Sequence, residues 1–133
     1  MMARDYLALA YEIELRSNLV HRWETGRCCV SFTLACVLAQ TGIDYLADLP
    51  RWSNRAEALE VARSLGGLRA ALGARFDRTT PAFAQRGDIA GLPDADFGVR
   101  LMVVEGETLV GPALHGNERL DRSAMRIAWR AAP

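Results

Sequence analysis

The sequence predicts an α+β fold, with N-terminal helices packed on a small C-terminal antiparallel sheet, and three observations carry that prediction. Apolar residues recur at helical spacing through the first half of the chain. In the second half they alternate at strand spacing between glycine turns. The two patterns follow one another, helices first and strands second, which is the α+β order. The chain has 133 residues, enough for one domain and one core, so all of it reads as a single domain.

The first helix is expected from about Asp5 to Val20, with Asp5 as N-cap and Tyr6, Leu9, Ala10, Ile13 and Val20 roughly on one side. His21 to Gly26 links it to the next helix. Trp23 in that link reads as a packing anchor, since an indole buries a large area. Arg27 to Gln40 reads as a central helix, apolar nearly all round and therefore surrounded by protein. Gly42 is placed to end it in the left-handed conformation. Ile43 to Trp52 is an irregular connector. Asn54 and Glu57 then have capping-box spacing, and Ala58, Val61, Ala62 and Leu65 follow at i, i+3, i+4 and i+7 as far as Gly66-Gly67. A short helix is expected from Leu68 to Leu72, stopped by Gly73.

After it, Phe76 to Gln85 reads as a loop and Arg86-Gly87-Asp88 as a glycine turn leading into a strand, a better physical reading than the adhesion tripeptide it spells. Strands are expected over Ile89–Leu92 and Phe97–Val104, the latter with Val99, Leu101 and Val103 alternating against Arg100 and Met102. Glu105-Gly106-Glu107 is a tight turn, and Thr108 to Val110 returns as a hairpin partner, broken by Gly111-Pro112. Asp121 to Ala124 suits a helical turn. Met125 to Arg130 suits a last strand, with Ile127 and Trp129 on one face.

Composition excludes several classes of function. Formal net charge is zero and the acidic and basic residues are interleaved, so there is no electrostatic footprint for nucleic acid or for an anionic membrane. No apolar run approaches the ~18–20 residues of a membrane span. The N-terminal stretch carries acids within its apolar part and lacks a small-residue cleavage site, so synthesis and folding in a cytoplasm are expected. Three cysteines, at 28, 29 and 36, are an odd count without a disulfide framework and read as reduced thiols.

The chemistry centres on the stretch from Trp23 to Gly42. A thiol in the first turn of a helix lies near backbone N–H groups and the positive end of the helix dipole, and both favour thiolate, the nucleophilic form. Cys29 is therefore the candidate nucleophile. The alternative is that it is a small core residue, as free cysteines commonly are. Cys28 would point about 100° around the helix, and Cys36, two turns on, reads as core. The three are poorly spaced for a metal or iron–sulfur site, so neither metal nor cofactor is expected. A cysteine hydrolase also needs a base. His21 would have to fold back over its own turn to serve, which leaves His115, in the strand-rich half, as the candidate base. The enzyme reading requires the Cys29 sulfur and an imidazole nitrogen of His115 within about 4 Å in an open cleft.

Several stretches in order along nearly the whole chain carry a resemblance. These are Trp23-Glu24-Thr25-Gly26 before the cysteine pair, Phe32, Thr41-Gly42-Ile43-Asp44, and Ala58 through Leu72 with its double glycine. Arg86-Gly87-Asp88-Ile89, Gly98-Val99, Gly106 and Ala128-Trp129-Arg130 complete the series. Together they resemble a family of short proteins encoded in phage and prophage tail gene clusters, distantly related to the NlpC-like cysteine peptidases. The resemblance implies a papain-like α+β fold with the helix bearing Cys29 packed on the sheet. It implies other tail-tip proteins, and peptidoglycan, as partners in a virion tail. Active NlpC-like enzymes use this cysteine on peptidoglycan peptides, with a histidine opening a central strand as base. Two positions depart from that pattern: Cys28 stands where aspartate is common, and Asp96-Phe97 stands where the histidine belongs. Loss of acid–base help costs ~10²–10⁴-fold. The first expectation is therefore a structural or assembly part of a tail tip, on a degenerate NlpC-like fold. The runner-up is a working peptidase or amidase using Cys29 and His115, and the third reading is a protein that donates cysteines to a shared metal site.

Overall fold

A computed structural model describes residues 4–17 and 28–132. Within them lie four helices, α1 (Tyr6–Leu15), α2 (Cys29–Thr41), α3 (Arg55–Ser64) and α4 (Leu68–Arg75). Six strands follow: β1 (Arg78–Thr79), β2 (Ile89–Asp94), β3 (Gly98–Val104), β4 (Thr108–Ala113), β5 (Gly116–Asp121) and β6 (Ile127–Trp129). They form one antiparallel sheet in the order β1-β6-β2-β3-β4-β5. The protein is α+β, helices first and sheet second. Val20, His21 and Trp23, which the sequence reads as a helix end, a histidine set aside as base and a packing anchor, lie outside the described residues.

Most helix boundaries follow from their caps. Asp5 starts α1 by accepting the Ala8 N–H at 2.9 Å. Gly42 ends α2 with φ at +80°, returning its N–H to the Leu38 carbonyl. Asn54 caps α3 by accepting the Glu57 N–H at 2.9 Å, while the Glu57 carboxylate takes the N–H of Ser53, one residue before the box predicts. Two helix ends need correcting. α1 stops at Leu15, where the Arg16 and Ser17 N–H groups turn back to Glu12 and Glu14. α4 runs through Gly73 to Arg75. A mid-helix glycine costs about 1 kcal/mol, and burying Phe76 against the core just beyond it returns more than that.

The sheet departs from expectation at three places. Arg78–Thr79, predicted as loop, is a short edge strand paired with Trp129 and Ala128. β4 does not break at Gly111-Pro112 but continues into a second hairpin with β5, which the sequence reading left out. The proline is tolerated because β4 pairs with β3 only at Leu109 and Val110. Asn117, opposite Pro112, gives its N–H to Ser17 of the α1 end, so the missing proline donor breaks no ladder bond there. Gly111 also has little room for a side chain, since a Cβ there would stand 3.2 Å from Met102.

Both faces of the sheet are buried. On one, Ile89, Val99, Leu101, Ile127 and Trp129 meet Leu34 and Val37 of α2 and Leu68, Leu72 and Phe76 of the α4 region. Gly91 lies on this face, and a Cβ there would stand 2.5 Å from Ile127 and 2.7 Å from Val99, so the small residue lets these strand side chains close over β2. On the other, Met102 packs with Ala90, Val104, Leu109 and Ala128 under Ala84 and Met125. α1 lies over the β3–β4 region, with Leu9 and Ile13 against Phe32, Cys36, Val103 and Val110.

In the Arg86-Gly87-Asp88 turn Arg86 is exposed, while Gly87 and Asp88 form a buried junction. Asp88 is 1% exposed. One carboxylate oxygen accepts from Arg4 at 2.6 Å and from the Ala131 N–H at 3.1 Å, and the other accepts the Gln85 N–H at 2.8 Å. Beside it the Gln40 amide donates to the carbonyls of Gly87 and Cys36. The junction thus ties residue 4, the end of α2, the start of β2 and residue 131 together.

Candidate functional site

Cys29 is the first residue of α2, and Cys28 is its extended N-cap. No side chain caps this helix start, because the capping position holds a thiol where a hydroxyl or carboxylate is preferred. Cys28 is buried, its sulfur 3.4 Å from the Ser31 hydroxyl. Cys29 is half-buried and packs against the core formed by Leu34, Leu68, Val99 and Leu101.

These surroundings decide the protonation state. Burial is the largest influence on the Cys29 thiol, and with neighbouring Cys28 it pushes the pKa from 9.0 up to about 11. A backbone hydrogen bond from Leu101 and the charge of Arg100 pull the other way, and Asp94 adds a smaller rise. Desolvation outweighs these two favourable contacts. Cys36 is pushed higher, to about 12, by burial first and then by Glu12. It is fully buried, as its place in the apolar run suggests.

His115 is elsewhere. It sits exposed in the two-residue turn between β4 and β5. It is not among the groups acting on Cys29, and no hydrogen bond joins the two. Cys28 and Cys29 thus adjoin at the start of α2, and His115 lies at the tip of the β4–β5 hairpin. Among the described residues, no three metal-ligating side chains gather in one place.

What Cys29 faces is a cavity of about 260 Å³ between the start of α2, α3, α4 and the β2–β3 turn. Its walls are almost wholly carbon. The apolar face of α3, Ala58, Val61, Ala62 and Leu65, looks into it, and this explains why α3 has a clear amphipathic pattern yet no fully buried residue. Phe97, just before β3, contributes a ring to the wall. Asp94 shapes that turn by accepting the N–H groups of Asp96 and Phe97. Arg55 reaches across from α3 to pair with Asp96, its guanidinium 6.0 Å from the Phe97 ring centroid. Arg100 stands at the rim, 3.4 Å from Glu118.

Sequence reasoning missed Arg55, Trp52 and Arg100 as residues of this site. For Arg100 a signal existed, since it is the one charged residue in an otherwise apolar strand. Arg55 and Trp52 carried none: the first is one arginine among many, and the second closes an irregular connector. The family described as a domain of unknown function (DUF6950) matches residues 4–131. No curated protein matches the sequence.

Proposed function

The chain belongs to the DUF6950 family, and we propose that it is a structural or assembly part of a phage or prophage tail tip, built on an NlpC-like body without a working thiol centre. The tail assignment rests on the ordered sequence resemblance. The loss of catalysis rests on one observation: the Cys29 thiol lies against an apolar cavity, held protonated up to about 11, with Phe97 in the wall and His115 outside it. A cysteine nucleophile needs a depressed pKa or an adjacent base. Cys29 has its pKa raised, and His115 is not among the groups acting on it. In this reading the cavity and its Arg55–Asp96 rim are a docking body for another tail protein.

Genetic replacement tests this directly. In the phage or prophage that encodes the protein, deletion of the gene is expected to abolish infective particles. Cys29→Ala is expected to restore them to the wild-type titre. Failure of Cys29→Ala to restore infectivity, although the variant folds, together with loss of wall cleavage by the particles, would overturn the reading in favour of a working peptidase.

A further inference from the structure

α1 is apolar on two faces, and only one of them is packed. Leu9 and Ile13 are buried against α2, β3 and β4. On the opposite side Leu7, Tyr11 and Leu15 are 83%, 67% and 57% exposed. At about 100° per residue, positions four apart fall within ~40° of each other, so the three make one continuous stripe. A helix apolar all round belongs inside protein, and α1 is open along half its circumference.

We propose that this stripe is a homodimer contact, with α1 of one copy packed antiparallel against α1 of a second. Two features select a second copy as the occupant. The stripe reads alike in both directions, leucine, tyrosine, leucine at equal spacing. A two-fold axis at Tyr11 sets that ring against its own counterpart and Leu7 against Leu15, as an isologous contact requires.

The charges agree with this arrangement. Arg86 marks the N-terminal end of α1, its guanidinium 5.8 Å from the Tyr6 ring centroid. Glu14 marks the C-terminal end. The same angular step places Glu14 between Tyr6 and the stripe, so both charges occupy one flank. A two-fold between antiparallel helices keeps like flanks together and reverses the ends, which brings Glu14 of each copy to Arg86 of the other. Of the other charges nearby, Glu12 pairs with Arg16, Arg4 with Asp88 and Arg119 with Glu105, and Arg119 also lies within electrostatic reach of Glu14. This contact is independent of the tail reading and of Cys29.

Sedimentation equilibrium on the full chain is the test. The wild type is expected to show a reversible monomer–dimer equilibrium. Tyr11→Glu is expected to raise the dimer Kd at least ~30-fold, as loss of a central aromatic contact does, with an unchanged far-ultraviolet circular dichroism spectrum. Glu14→Arg and Arg86→Glu should each weaken the dimer several-fold at low salt, and the double swap should restore it. These surface changes keep the test open even if Tyr11→Glu misfolds. A wild type that stays monomeric at millimolar concentration overturns the proposal, and so does a dimer indifferent to Tyr11→Glu or unrestored by the double swap. A monomeric wild type that binds lipid vesicles through Tyr11 overturns it in favour of a membrane contact.

Discussion

The Asp88 junction and the start of α2 each take a titratable group out of water, and they are built in opposite ways. At the Asp88 junction a carboxylate is buried with Arg4 and two backbone N–H groups around it. At the start of α2 a thiol is half-buried beside an apolar cavity, where burial outweighs the few groups that would favour its charge. The first site surrounds its carboxylate with donors and uses it to join four parts of the chain. The second keeps a neutral thiol. The difference teaches that position at a helix start does not by itself make a nucleophile. The partners decide, and this chain places its polar partners at the structural junction.

The largest expected effect comes from emptying the junction. Asp88→Ala leaves Arg4 and the Ala131 and Gln85 N–H groups without their acceptor, and should cost about 3–5 kcal/mol in urea unfolding. If it costs less than about 1 kcal/mol, the junction is not what holds the ends of the chain. Next is Gly87→Ala. Gly87 has φ at +92°, and a Cβ there would stand 2.0 Å from the Gln40 amide oxygen. Strain and overpacking together should cost about 2 kcal/mol or more.

The thiol site gives smaller effects that depend on pH. Both thiol pKa values are raised by folding, so their stabilisation is whole below about 9.0 and is lost as pH rises through 11 for Cys29 and 12 for Cys36. Each should remove about 1 kcal/mol by about pH 10. Urea midpoints of the wild type should therefore fall from pH 8 to pH 10, and Cys36→Ala should show a shallower fall. Smallest of all, Cys29→Ala should change stability at neutral pH by less than about 1 kcal/mol, since the residue borders a cavity.

Much of this architecture was legible in the residues, and the illegible parts share a cause. Asp5, Asn54 and Gly42 act through bonds to near neighbours, so their roles could be read locally. Val99, Leu101 and Val103 alternate because one face of β3 meets the helices. β5 stayed hidden because Gly116–Asp121 is an edge strand with a mostly polar sequence and no alternation to detect. Gly111-Pro112 looked like a break because only the divergence of β4 from β3, a tertiary fact, makes the proline harmless. At the candidate site the helix-start thiol was plain in the sequence. The cavity was not, because it lies between α3 and elements distant in the chain. Nor was the outcome of the contest between desolvation and the groups that favour thiolate, which depends on how much carbon surrounds one sulfur atom.

That contest can be measured on the folded protein. Alkylation of Cys29 by iodoacetamide, followed by tandem mass spectrometry to separate it from Cys28 and Cys36, reports the thiolate directly. The account predicts a rate that climbs with pH towards a midpoint near 11, and at pH 7.5 lies at least about ten-fold below that of free cysteine. A midpoint at or below about pH 8, with Cys29 labelled rapidly near neutrality, would contradict it and return the helix-start thiol to the role of nucleophile.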